Sequence, residues 1–292
     1  MTDSPVTVPV CYNHPSKETY VRCTRCDRPI CPDCMNEASV GHQCPDCVKE
    51  GRRTQRSART AFGGSAAGRA GTVTRTLIGV NVAVMVLSVA TGGLGAIAGG
   101  GWGGLLGSST PLLQWGSVWG YGIANGEWWR LFTAMFLHLG VLHLLVNMYA
   151  LWILGRDLEA ALGRVRFLAL YLLAGLGGNV ASFLFANPAR DSVGASTAVF
   201  GLMAAMFVVL KRLNLSVQPI VPVLVINVIF TFTVSGLSKS GHLGGLIVGA
   251  LAAVALAYAP AKRRTLFQAL GCGAIAAVLV ILAILRSVSL TT

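Results

Sequence analysis

Ser192-Val-Gly-Ala-Ser196-Thr-Ala-Val-Phe-Gly201 places a serine at the mouth of an apolar run, and Gly241-His242-Leu-Gly-Gly245 does the same for a histidine. Two such runs, read as membrane helices entering from the same side, bring a hydroxyl and an imidazole to one depth. A Ser–His pair in a nearly ion-free setting is expensive to bury and poorly explained by packing.

The surrounding composition supports the membrane reading. The chain has 292 residues, 54% of them hydrophobic and 12% charged, with a mean hydropathy of +0.65. Soluble domains carry about a quarter charged residues. Seven of the eight cysteines fall within residues 1–70, and the remainder is apolar with its charges confined to short intervals. Two regimes follow: a small polar domain, then an all-α polytopic membrane domain. The net charge of +12 is accounted for by the positive-inside rule, so no nucleic-acid partner is expected.

Apolar runs near the crossing length of about 20 residues fall at roughly 74–96, 131–155, 165–186, 193–211, 216–235, 241–260 and 266–286. Basic residues cluster before the first run and after the second, fourth and sixth, as in Arg156, Arg164, Lys211, Arg212, Lys262, Arg263 and Arg264. That alternation predicts seven spans in the cell membrane with a cytoplasmic N-terminus. Ser196 and His242 then lie just below the outer surface, with the site opening towards the external side. The interval 97–130 is rich in glycine and carries Trp102, Trp115, Trp119, Trp128 and Trp129, which suits a loop on or in the outer leaflet.

The second run reads Phe136-Leu-His138-Leu-Gly-Val-Leu-His143-Leu-Leu-Val-Asn147. His143 and Asn147 are four apart and share a helix face. Two donors beside a serine suit a developing oxyanion. His138 does not align with His143 on a straight helix, and Gly140 marks an expected break between membrane-dipping loop and helix. A single intramembrane His or Asn is ordinarily polar glue between helices; four such residues together point to chemistry. No His-Glu-x-x-His helix and no intramembrane carboxylate completes a catalytic zinc site. His242 serves as general base to Ser196 and acid to the leaving amine in a dyad.

These residues resemble the rhomboid intramembrane serine proteases. Trp129-Arg130 is similar to the family's first-loop pair. His138, His143 and Asn147 match its second-helix pattern, Gly155-x3-Glu159-x3-Gly163 its structural turn, Gly194-Ala-Ser196 its nucleophile motif, and His242, Gly245 and Gly249 its sixth helix. The resemblance spans about 76–260 and implies a rhomboid-like six-helix core over 74–260, with a further helix and tail over 261–292. It implies Ser196 as nucleophile, His242 as base, and an oxyanion hole of His143, Asn147 and the Ser196 backbone N–H, acting on transmembrane protein substrates in the lipid bilayer. Thr197, Phe200 and Gly241 stand where the family commonly has glycine, tyrosine and alanine. The alternative is a catalytically inactive relative that binds membrane clients; Ser196 and His242 argue against it.

The head carries Cys11-x2-His14, Cys23-x2-Cys26, Cys31-x2-Cys34 and Cys44-x2-Cys47. With no signal peptide read at the N-terminus, a reducing cytosol favours metal thiolates over disulfides. Eight donors suffice for two structural Zn²⁺ ions over residues 1–50, and so short a segment lacks the apolar content to fold without a staple. His42 is a ninth candidate, left aside because Cys44-x2-Cys47 is already a regular knuckle. The head resembles a B-box zinc finger, which implies interleaved sites: Cys11 and His14 with Cys31 and Cys34, and Cys23 and Cys26 with Cys44 and Cys47. It further implies a cytoplasmic protein partner. Residues 51–73 read as a flexible basic linker.

Overall fold

The structure, a computed structural model, describes residues 8–54, 59–65, 71–93 and 110–292. The chain divides into two compact units, Met1–Ser57 and Ala58–Thr292.

The first unit contains a 3-10 turn at Pro32–Cys34, a two-stranded antiparallel ladder of β1 (Asn36–Glu37) and β2 (His42–Gln43), and helix α1 (Pro45–Thr54). Its buried apolar interior consists of Ile30 and six cysteines, with Tyr12 and Met35 packed against them. That is too little apolar surface for an independent core.

The second unit is a helical bundle. Helix α2 (Thr72–Gly92) is followed by short helices α3 (Pro111–Gly116), α4 (Gly120–Ala124) and α5 (Arg130–Thr133). Then come α6 (Val141–Leu162), α7 (Arg164–Phe185), α8 (Ser196–Arg212), α9 (Ile220–Thr233), α10 (Lys239–Ala257) and α11 (Arg264–Thr291). Among the described residues five helices are long and apolar enough to cross a membrane: α2, α6, α7, α10 and α11. This is a multi-pass membrane protein. The expected spans at 193–211 and 216–235 appear as shorter helices of 17 and 14 residues. At 1.5 Å per residue α9 reaches only about 21 Å; it stops where Val234 turns extended ahead of Gly236, at φ 86°.

Helix α7 is the centre of the bundle, with 61% of its apolar window buried, against 17% for the peripheral α11. Small residues let α8 and α10 meet backbone to backbone, as close membrane packing requires. A Cβ at Gly245 would fall 2.0 Å from the Thr197 carbonyl oxygen, and one at Gly249 would fall 2.3 Å from Gly201 Cα. Buried Glu159 on α6 accepts from the Val73 and Thr74 N–H groups at 3.0 and 2.9 Å and from the Thr74 hydroxyl at 2.9 Å. It thereby caps the first turn of α2 with a carboxylate, where the helix dipole favours one. Gly163, at φ 83°, makes the turn into α7.

Within the stretch 51–73 expected as a linker, residues 51–54 belong to α1 and residues 59–65 to the membrane unit. Phe62 is 4% exposed, Gly64 lies against Leu162 and Gly163, and Gln268 and Arg264 donate to the Phe62 and Ala61 carbonyls. One aromatic in a basic, small-residue stretch has found an apolar slot. Residues 55–58 and 66–70 lie outside the described residues, as do residues 94–109 with Trp102.

Candidate functional site

The loop before α8 is held from two sides. Val118 and Ser192 exchange backbone hydrogen bonds at 2.9 and 3.2 Å, and Gly194 N–H donates to the Ala134 carbonyl at 2.9 Å. Gly194 sits at φ 130°, a conformation side-chain-bearing residues rarely adopt. The chain therefore enters α8 with Ser196 as its first residue, where backbone N–H groups have no intrahelical partner. His242 lies in the first turn of α10, whose N-cap Ser238 accepts from Gly241 N–H at 3.2 Å and bonds Ser182 at 2.7 Å.

The close contact of α8 and α10 sets Ser196 Oγ 2.9 Å from His242 Nε2. His242 is 6% exposed and its ring stacks on Phe200 at 4.2 Å between centroids and 15° between planes. Phe200 thus supplies a stacking ring without the hydroxyl of a tyrosine. On the opposite edge, His242 Nδ1 lies 2.8 Å from the Thr231 hydroxyl on α9. Little in the sequence signals Thr231; it is one hydroxyl among several polar residues near a span end.

The expected break at Gly140 is present. Residues 134–136 form a 3-10 turn, Leu137 is extended, and Gly140, at φ 149°, precedes α6. His138 lies before the break and His143 after it, with their rings edge to face at 5.1 Å. His138 is buried, and neither ring nitrogen has a protein partner among the described residues. His143 Nδ1 accepts from Leu139 N–H at 3.4 Å, which leaves the ring proton on Nε2. Asn147 Nδ2 donates one hydrogen to the His143 carbonyl at 2.8 Å and keeps a second. A Cβ at Gly194 would lie 3.0 Å from His143 Nε2 and 3.4 Å from Ser196 Oγ. The absent side chain therefore lets the His143 ring and the Ser196 hydroxyl approach this backbone closely. Ser196, His242 and His143 are thus gathered at one end of the bundle, with Asn147 one turn further along α6 and His138 against the His143 ring.

Beside this end, residues 110–136 fold into a cap of short helices. Arg130 is 5% exposed and donates to Glu127 at 2.5 Å and to the Gln114 and Ser117 carbonyls at 2.7 and 3.2 Å. Trp129 stacks on Trp115 at 5.6 Å and donates to its carbonyl at 3.1 Å. The Trp129-Arg130 pair therefore ties α3 to α5.

In the first unit, Cys11, His14, Cys31 and Cys34 form one cluster and Cys23, Cys26, Cys44 and Cys47 a second, with the donor atoms of each within 4.8 Å of one another. The pairs interleave along the chain. His14 Nδ1 is 3.3 Å from both Cys31 and Cys34, and Cys26 and Cys44 sulfurs are 3.7 Å apart. Tetrahedral ligands about 2.3 Å from one ion stand roughly 3.5–3.8 Å apart, so both clusters fit a metal ion. Backbone N–H groups and Arg28 point at the sulfurs, at 3.2 Å for Cys44 N–H to Cys23 and 3.3 Å for Arg28 to Cys26. Burial opposes ionisation of Cys11 and Cys23, but these N–H groups bring both thiols down to about 6. Burial pushes Cys34 up to about 11 and Cys47 to about 12. His42 lies on β2, outside both clusters.

The Rhomboid domain family model matches residues 125–259. The chain is 45% identical over 139 residues to the rhomboid protease GluP of Bacillus subtilis (strain 168), covering 46% of this chain and 27% of that protein. It is 39% identical over 142 residues to YdcA of the same organism, covering 46% of this chain and 71% of YdcA. RHOMBOID-like protein 5 of Arabidopsis thaliana is 36% identical over 154 residues, half of each chain. The match falls on the membrane unit, and the chain spans only a quarter to a half of GluP and RHOMBOID-like protein 5. With this identity across most of YdcA, and with the helical bundle described above, the chain belongs to the rhomboid family.

Proposed function

We propose that the protein is an intramembrane serine endopeptidase that cleaves transmembrane segments of other membrane proteins through a Ser196–His242 dyad. The 2.9 Å approach of Ser196 Oγ to His242 Nε2, with Phe200 stacked on the imidazole, carries this reading. The relative named a rhomboid protease supports it. Ser196 Oγ attacks the scissile carbonyl carbon as its proton passes to His242 Nε2. The carbonyl oxygen, now an oxyanion, is met by His143 Nε2–H, the free hydrogen of Asn147 Nδ2 and the Ser196 backbone N–H. His242 returns the proton to the leaving amine, the C–N bond breaks, and water then hydrolyses the Ser196 ester by the reverse proton path. The distribution of basic residues supports a site end that faces outward and a cytoplasmic N-terminus. Labelling by a fluorophosphonate tests the nucleophile: wild type labels, while Ser196→Ala and His242→Ala do not. Equal labelling of Ser196→Ala would remove this assignment.

The N-terminal unit reads as a B-box-like module with two structural Zn²⁺ ions, each bound by one four-residue cluster. Bound zinc would supply the cross-links that Ile30 and a few flanking side chains cannot. The module would serve contacts with a cytoplasmic protein rather than chemistry. Elemental analysis of protein purified without chelator should give two zinc ions per chain; a metal-free, folded head would refute the metal reading.

A further inference from the structure

Serine–histidine chemistry does not by itself call for Thr231, yet this residue is built into the site. It lies in the last turn of α9 and is 1% exposed. Its Oγ1 is 2.8 Å from His242 Nδ1, on the ring edge away from Ser196, and the same oxygen donates to the Asn227 carbonyl at 2.8 Å. A threonine hydroxyl has one proton and two lone pairs. With the proton committed to Asn227, a lone pair faces Nδ1, so Nδ1 carries the imidazole proton and Nε2 is free to accept from Ser196. The opposite tautomer would leave the Ser196 proton without that acceptor. Phe200 fixes the plane of the ring but not its tautomer. The carboxylates on this side of the bundle are engaged elsewhere: Glu127 with Arg130, and Asp191 with Ser117.

We propose that Thr231 is a positioning residue that holds His242 in the Nδ1–H tautomer and accepts from the imidazolium formed in the transition state, an inference that rests on the protease reading. A neutral acceptor does the orienting work of a carboxylate without burying a second charge in the membrane.

Thr231→Val removes the hydroxyl at nearly constant volume, and Thr231→Ser keeps it. Thr231→Val should lower kcat about 10-fold at unchanged KM and slow fluorophosphonate labelling equally, the scale of one hydrogen bond; Thr231→Ser should return to within about 2-fold of wild type. A packing role predicts the reverse, with Ser worse than Val. In parallel, ¹⁵N-histidine NMR in micelles should find His242 protonated on Nδ1 in wild type and a mixture of tautomers in Thr231→Val. Wild-type kcat in Thr231→Val, or an Nε2 proton in the wild type, overturns the inference and leaves the dyad standing. A wild type that neither cleaves nor labels counts against the protease reading instead, and the tautomer measurement still decides the part played by Thr231.

Discussion

The N-terminal unit and the membrane unit hold together by opposite means. The first has an interior of six buried cysteines around Ile30, so on the proposed two-zinc reading its order would depend on a few strong bonds at two points. The second distributes its cohesion over a long apolar cluster and the backbone contacts of α8 and α10, so removing one contact leaves the rest. A unit stapled at two points would fail all at once; a unit packed along several helices fails locally, and on the protease reading a local failure near Ser196 would read out as lost chemistry before unfolding.

The largest expected effect separates the two directly. Each structural zinc site contributes on the order of 10 kcal/mol to folding its module. Chelation should therefore unfold the head by circular dichroism or hydrogen exchange while a chain starting at Ala58 keeps its activity in detergent. Starting instead at Gly71 removes Phe62 and its buried slot, and should lower the thermal midpoint relative to the Ala58 chain. Equal midpoints would show that residues 59–65 contribute nothing to the membrane unit.

Next in size is the linkage of Ser196 and His242. Loss of either should cost roughly 10⁶-fold in kcat, and loss of both hardly more, because the pair acts as a unit. Additive losses in the double variant would break the dyad. Gly249→Val comes third. Its side chain would drive into Gly201 Cα, so α8 and α10 must part, at a cost of about 1–3 kcal/mol. Probe labelling should fall more steeply than the thermal midpoint; a lower midpoint with normal labelling would uncouple packing from the site.

An effect of similar size belongs to a single donor. Asn147→Ala should reduce kcat by roughly 10- to 1000-fold with KM little changed. His143→Ala should behave alike, and His138→Ala should act through stability. Wild-type rates in both His143→Ala and Asn147→Ala would place the oxyanion elsewhere.

Much of the site was legible in the sequence because membrane topology fixes depth. Ser196 and His242 begin apolar runs of the same direction, and His143 and Asn147 share a helix face by spacing alone. Gly140 announced the break that separates His138 from His143. What stayed hidden depends on side chains meeting across helices with no sequence period linking them. Thr231 reaches His242 from α9, Glu159 caps α2 from the far end of α6, and Phe62 seats residues 59–65 on the bundle although their composition suggests a linker. The end of α9 is also hidden, since apolar content continues through Phe232 and Val234 while the helix stops at Thr233.

The central claim is tested most directly by cleavage of a model transmembrane substrate in detergent, comparing wild type with Ser196→Ala at matched folded concentration. The dyad predicts a discrete N-terminal product from wild type and none from Ser196→Ala, with both proteins showing the same thermal midpoint. Undiminished cleavage by Ser196→Ala would contradict it.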